Sequence, residues 1–258
     1  MLRTVDRTLR VLEAFPRDRA EISLSELSAV VGIERSMVCR MLQTLQQHGL
    51  VSQNPLTRRY SLGLRLFELG RVVVDNLEIR HKALPIMRQL SVETGESVVL
   101  MVYSDGEAVC VEGVESQASQ FRYVAPIGQR YPLHAGAGGK VLLAFQSEEA
   151  IDKCLQRPLP KYTEKTITDP QLLRRELREI RTQGYAVNYG AVQVGVTAIG
   201  APIRDHGGAV VAAMTLVGPA FRVTVDRAHE LISIVVEAAQ SISRELGHDL
   251  GAAAEASL

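Results

Sequence analysis

Residues 24–45, LSELSAVVGIERSMVCRMLQTL, set the reading of the rest of the chain. Ser23 with Glu26 three positions on is a capping-box start, in which hydroxyl and carboxylate each satisfy a backbone N–H at the head of a helix. Leu24, Leu27 and Val31 then recur at helical spacing. Gly32-Ile33 marks a tight turn. A second helix follows, with Val38, Met41, Leu42 and Leu45 along one face. Its other face carries Arg35, Ser36, Met37, Cys39, Arg40 and Gln43. Two readings fit this stretch taken alone: an ordinary helical hairpin, or a helix-turn-helix whose second helix offers its polar side to a major groove.

The flanks favour the second reading. Thr4 to Phe15 predicts a preceding helix with Val5, Leu9, Leu12 and Phe15 on its stripe, and Pro16 to Glu21 is a charged connector. After Gly49, Leu50 to Gln53 can start a strand, Asn54-Pro55 turns the chain, and Thr57-Arg58-Arg59 forms a basic tip. Tyr60-Ser61-Leu62 alternates as the return strand. Three helices and then a basic two-stranded hairpin make a winged helix-turn-helix. Charge agrees: residues 1–65 hold ten Arg, no Lys and six acidic residues, net +4, whereas residues 66–258 hold 19 basic and 23 acidic residues, net −4. A basic head on an acidic body points to one end that meets a polyanion. Arginine, rather than lysine, suits bidentate contacts to phosphate or guanine.

Composition removes other classes. A chain of 258 residues, 46% hydrophobic, suits two compact domains with real cores. Trp is absent and aromatics are 5%, which argues against a carbohydrate-stacking surface or an aromatic nucleic-acid platform. Cys39, Cys110 and Cys154 form no CxxC or Cys/His cluster, so neither a disulfide framework nor a zinc site is supported. The six histidines lack metal-ligand spacing, and there is no GxSxG elbow. Asp205-His206, beside Gly207-Gly208, reads as a turn. His134 to Lys140 fails the phosphate-loop pattern GxxxxGK[ST], because position 134 is His and Val141 follows the lysine. No enzyme, cofactor or metal is expected. Apolar runs are strand-length and the N-terminus is unlike a signal peptide, so cytoplasmic residence without membrane contact is expected.

Downstream, residues 63–90 read as largely helical, with weak interruptions at Gly70 and Pro85. The hydrophobic period then shortens. Ser97 to Tyr103, Asp105-Gly106 and Ala108 to Val114 predict a hairpin, and Phe121 to Ala125 a further strand. The run Ala135 to Gly139 opens a helix through Lys140 to Phe145. Thr168-Asp169-Pro170 starts a helix over Gln171 to Thr182, stopped by Gly184. Tyr185 to Gly195 predicts a strand and loop. Ala198 to Arg204 and Ala209 to Val217 form a second hairpin, and Asp226 to Leu246 a closing helix. The expected organisation is α+β: a winged domain over 1–63, a helical linker over 64–80, a second domain over 81–250, and a frayed tail over 251–258.

Several segments together, TVDRTLRVLEAF, LSELSAVVGIERSMVCRMLQTL, RRYSLGLRLFELG, PLHAGAGGKVLLAF, GYAVNYGAVQVGVTAIGAPIRDHGG and AVVAAMTLVGP, resemble the IclR family of bacterial transcriptional regulators over nearly the whole chain. The resemblance implies a winged DNA-binding domain, a helical linker and a GAF-like α+β effector-binding domain, in dimers that often pair into tetramers. It implies an effector pocket walled by Ala137 and Gly138 and, opposite, by Asn188, Ala198, Thr215 and Val217. The family usually has an acidic residue at the position of Asn188, a cysteine at Ala198, and small hydroxyl residues at Thr215 and Val217. Only Thr215 keeps that chemistry, so a larger or aromatic metabolite is expected rather than a very small polar acid. Small residues at 137–138 could alternatively serve close helix packing.

At the proposed DNA face, Arg35, Arg40 and Gln43 can reach base edges, Met37 a thymine methyl, and Ser36 a phosphate near the helix N-terminus. Ser25 and Thr44 could reach the backbone, as could Arg58 and Arg59 from the wing. Cys39 stands where the family often has His, with no resolving cysteine nearby. The expected function is a ligand-responsive regulator of a catabolic operon, binding a near-palindromic double-stranded operator as a homodimer or homotetramer. The alternatives are a GAF-type sensor acting through a protein partner and an α+β enzyme with an appended helical domain.

Overall fold

The Ser23 capping box closes in the computed structural model as the sequence requires. The Ser23 hydroxyl accepts from Glu26 N–H at 3.3 Å, and the Glu26 carboxylate accepts from Ser23 N–H at 2.9 Å. The structure describes residues 2–16, 19–118, 122–123 and 125–249. They fall into two compact units that divide between Asn76 and Leu77.

The first unit contains α1 (Arg3–Glu13), α2 (Leu24–Val31), α3 (Arg35–Gln47), β1 (Val51–Gln53), β2 (Tyr60–Leu62) and α4 (Leu64–Asp75). Gly32 ends α2 in the left-handed region at φ 67°, which glycine adopts without a Cβ clash. Val38, Met41, Leu42 and Leu45 of α3 are all buried, together with Leu27, Val31, Ile22, Val51 and Tyr60. The stripe expected on the first helix is corrected: Val11 is the buried residue, Leu12 pack with Phe15 at the core edge, and Val5 and Leu9 are half exposed. The wing hairpin pairs Val51 with Leu62 and Gln53 with Tyr60. It is tied to the α2 entry by two 2.8 Å backbone bonds between Ile22 and Tyr60. Gly63 lies so close to Gly49 that a Cβ would stand 2.0 Å from the Gly49 carbonyl oxygen, so only glycine lets the wing lead into α4 there.

The helical stretch after the wing breaks at neither Gly70 nor Pro85. Both lie inside helices, and the break is at Asn76-Leu77, before α5 (Glu78–Thr94). The β-branched run Val72-Val73-Val74 weakens the helix, and Asn76 closes it by donating its side-chain amide to Val72 O at 2.8 Å.

The second unit continues with β3 (Ser97–Ser104), β4 (Glu107–Val114), β5 (Arg130–Tyr131), α6 (Ala137–Ala144), α7 (Glu148–Leu155), α8 (Pro170–Gln183), β6 (Ala186–Tyr189), β7 (Val196–Arg204), β8 (Val210–Pro219) and α9 (Val225–Glu245). The strands form one antiparallel sheet in the order β5-β4-β3-β8-β7-β6. Alternation sends Val98, Leu100, Met214 and Leu216 to one face, against Met87 and Leu90 of α5 and Leu231 and Val235 of α9. Val99, Met101, Ala213 and Val217 go to the other, against α6 and α8. The sheet is thus buried on both faces, which is why its central strands read as nearly continuous apolar runs.

Two expectations change. Arg122, Tyr123 and Ala125 are not in a strand; Phe121 and Val124 lie outside the described residues, and the edge strand forms later, at Arg130-Tyr131. Helix α7 was not foreseen, although Ser147 caps it by accepting from Ala150 N–H and Glu148-Glu149 suit its positive end. The 251–258 tail lies outside the described residues. No helix among the described residues is long and apolar enough to cross a membrane.

Candidate nucleic-acid interface and effector cavity

Helix α3 buries one row and leaves the opposite side to solvent. At 3.6 residues per turn, Ser36, Arg40 and Gln43 stand opposite the buried row, with Cys39 beside them and Arg35 and Met37 on the flanks. Gln47 continues the same face and is exposed; it was missed, although it lies four residues beyond Gln43. No side chain caps the helix N-terminus at Glu34, and the Glu34 carboxylate instead accepts from Ser36 Oγ at 2.8 Å. Met37 is half buried and its Sδ accepts from Arg7 Nη1 at 3.5 Å. Thr44 donates to Arg40 O within the helix, at 3.2 Å. Ser25 is exposed in the first turn of α2, and Cys39 is a half-buried free thiol.

The two wing arginines differ. Arg58 is exposed at the tip and holds φ 58°, an uncommon left-handed conformation for a residue with a long side chain. Arg59 turns inward and pairs with Glu26 at 2.8 Å, and Arg19 meets the other Glu26 oxygen at 2.7 Å. The Ser23 bonds, then Arg19 and Arg59, hold the Glu26 carboxyl down to about 2. Arg59 is thus engaged by α2 rather than extended from the wing.

In the second unit the six residues named from the sequence meet at one cavity. Ala137 and Gly138 are the first turn of α6, while Asn188, Ala198 and Val217 are register partners across β6, β7 and β8. Thr215 lies two residues before Val217 on the same face. Gly200 allows α6 to approach: a Cβ there would stand 3.0 Å from Ala137 C. The cavity measures about 50 Å³. Beyond Gly136 and Gly139, which flank the first pair, its wall is completed by Met101, Tyr123, Tyr131, Val192, Gln193 and Val196. Met101 could have been found from the alternation of β3, but nothing local in the sequence marks the two tyrosines.

Five electrostatic features define this cavity. Among its described lining residues there is no Arg, Lys, His, Asp or Glu. The Thr215 hydroxyl is buried and has no hydrogen-bond partner, and it faces α6 so closely that a Cβ on Gly138 would stand 2.5 Å from it. No side chain caps α6 at Gly136, so its first-turn N–H groups have no side-chain acceptor. Asn188 is committed on one side, its Oδ1 accepting from Ala191 N–H at 2.8 Å. Tyr123 and Tyr131 place their hydroxyls 3.3 Å apart, and burial pushes the Tyr131 phenol well above its ordinary value.

An uncharged cavity with a buried, unpartnered hydroxyl beside a helix N-terminus offers hydrogen-bond donors and an apolar wall to a small molecule. Comparison with known proteins agrees. Residues 4–55 match the IclR helix-turn-helix domain, and residues 71–244 match the bacterial transcriptional regulator IclR C-terminal domain. The transcriptional regulator KipR of Bacillus subtilis is 36% identical over 247 residues, 95% of this chain and 98% of that protein. XynR of Escherichia coli is 31% identical over 249 residues, 96% of this chain and 98% of that protein. Among solved structures, an IclR homolog from Microbacterium hydrocarbonoxydans complexed with 4-hydroxybenzoate has a TM-score of 0.81 at 30% identity, covering 94% of this chain and 98% of that one. The Thermotoga maritima IclR has a TM-score of 0.73 at 30% identity, covering 96% and 100%. These relatives are transcriptional regulators, not enzymes. The chain belongs to the IclR family of bacterial transcriptional regulators, with an N-terminal helix-turn-helix DNA-binding domain and a C-terminal effector domain.

Proposed function

We propose that this regulator controls a catabolic operon by binding a near-palindromic operator as a dimer and responding to a small organic, preferably aromatic, metabolite. The observation that carries the effector half is the orphaned Thr215 hydroxyl at the uncapped end of α6. A buried hydroxyl without a partner costs roughly 1–3 kcal/mol, a cost that a ligand acceptor removes. Tyr123, Tyr131 and Met101 supply apolar and aromatic wall, and a relative binds 4-hydroxybenzoate. At about 50 Å³ the cavity is far below the roughly 300–1,000 Å³ of small-molecule sites, so the ligand enters by displacing part of the wall. That displacement, passed through the linker of α4, the Asn76-Leu77 break and the start of α5 to the DNA-binding units, is the proposed signal. A ligand shifts such an equilibrium only by its differential affinity for the two arrangements.

On the DNA side, Arg35, Arg40 and Gln43 read base edges, Ser36, Ser25, Thr44 and Arg58 meet the backbone, and Met37 and Cys39 border the contact. Arg59 reaches DNA only by leaving Glu26. Pairing of two copies is supported by the apolar exposure of α1 and α4: Phe67 is 71% and Val73 63% exposed in the single chain. Two recognition helices then enter successive major grooves with half-sites roughly 34 Å apart, or a multiple of that. Action in the cytoplasm follows from this role.

Two measurements test the reading. A gel shift with the protein's own upstream region should show binding that weakens steeply with salt, by about 0.9 log units per neutralised phosphate; no binding at low salt would favour the partner-protein sensor. A thermal-shift panel should rank 4-hydroxybenzoate or benzoate above glyoxylate and pyruvate. A large shift with the two small acids alone would overturn the aromatic preference.

A further inference from the structure

A second concavity, of about 560 Å³, opens on the side of the sheet that carries α6. It lies between the β3–β4 turn, the segment Pro132–His134, and α7 with the loop that follows it. Residues 132–134 separate it from the effector cavity, which is walled by Tyr131 before them and Gly136–Gly139 after them. Its volume, unlike that of the effector cavity, already falls within the roughly 300–1,000 Å³ of small-molecule sites.

Its charges are unbalanced in a specific way. The side chains of Lys153, in the last turn of α7, and Arg157, two residues past its end, make no ion pair or hydrogen bond with another described residue. The carboxylates of the groove are already engaged, since Arg130 stands 3.1 Å from Glu107 and 3.9 Å from Asp105. With Arg130 included, three cations face two carboxylates, an excess of one positive charge, and the side chains of Lys153 and Arg157 are the ones without an ion-pair partner among the described residues. The Arg157 guanidinium is seated against the Asp105-Gly106 turn, where a Cβ on Gly106 would be 3.1 Å from its Nη1.

The lining also carries two rings, those of His134 and Tyr162. His134 is 4% exposed, and its Nε2 lies 2.9 Å from the Pro160 carbonyl, which can only accept. Nε2 therefore carries the proton. Burial holds this imidazole below its ordinary pKa, so it is neutral and Nδ1 is a lone-pair acceptor. The Tyr162 ring lies 5.8 Å from that of His134, tilted by 31°.

We propose that this groove is a second small-molecule site, which takes a planar organic anion with its charged group between Lys153 and Arg157 and its ring against Tyr162 and His134. A hydroxyl on the ligand would donate to His134 Nδ1. The test is a titration of 1-naphthyl phosphate and, in parallel, 1-naphthoate into the full-length protein, followed by probe anisotropy. The expected result is saturable binding of at least one anion, weakened about tenfold or more in Lys153→Ala/Arg157→Ala and again in Tyr162→Ala. Neutral 1-naphthol should bind at least tenfold more weakly than the anion, and Thr215→Val should leave binding unchanged. Lys153 and Arg157 are both exposed, so the double variant should keep its unfolding midpoint. The proposal is overturned by absence of saturable binding to the wild type, by equal affinity in the double variant, or by a loss confined to Thr215→Val.

Discussion

Thr215 and Glu26 show how much one side chain decides here. Replacing Thr215 by Val keeps its shape and removes an unsatisfied hydroxyl. The ligand-free protein should become about 1 kcal/mol more stable, while affinity for an effector such as 4-hydroxybenzoate falls about tenfold. Calorimetric unfolding and titration check the two signs separately, and loss of stability would show that Thr215 has a partner in solution. Glu26 makes a pH prediction. Its folded pKa, about 2, lies below the ordinary 4.5, so the native state favours the charged form. Its contribution is complete above about pH 5 and is lost as pH falls from 4.5 toward 2. The gap in urea midpoint between wild type and Glu26→Gln should therefore close across that window; a gap constant with pH would contradict the assignment. Both residues were visible in the sequence, Glu26 from its capping-box spacing and Thr215 from family resemblance. Their partners were not: Arg59 is 33 positions from Glu26 and meets it only because the wing folds back on α2.

At the level of elements, the proposed DNA contact divides between α3 and the wing. Arg40→Ala should weaken operator binding by about 1–3 kcal/mol and leave effector affinity of the free protein unchanged. A parallel loss of both would mean damage to the fold. Arg58 combines an exposed charge with a strained backbone at φ 58°. Arg58→Gly should raise stability by about 1 kcal/mol and lower the salt slope of DNA binding by about 0.9. An unchanged slope would remove Arg58 from the phosphate contacts. Helices with caps and stripes, and hairpins with Asp-Gly turns, were legible because their signals lie within a few residues. The β5 strand was not, because two residues at a sheet edge carry no periodicity. The break at Asn76-Leu77 was masked by more conspicuous Gly70 and Pro85, both of which the helices tolerate.

At the scale of the whole molecule, the exposed apolar residues of α1 and of α4 are a feature a single chain leaves unexplained. Substituting Phe67 and Val73 together by Glu should shift the protein toward monomer in analytical ultracentrifugation. Operator affinity should fall by roughly a hundredfold or more as the two half-sites lose their linkage. A dimer that survives would move the pairing surface elsewhere. The same scale explains the cavity: residues from 137 to 217 converge because β6, β7 and β8 are neighbours and α6 lies on Gly200.

The sequence by itself determined the two-part organisation, the buried row of α3, the antiparallel hairpins and, through family resemblance, six residues of the cavity. Period, caps and turn residues are local, so they survive being read in one dimension. Tertiary structure alone decided that the Thr215 hydroxyl is orphaned, that Arg59 is held by Glu26, that Tyr123 and Tyr131 complete the cavity wall, and that the Lys153 and Arg157 side chains are left without ion-pair partners among the described residues. Each depends on distances between segments far apart in the chain, and a side chain's hydrogen-bond and charge balance exists only once those segments have packed.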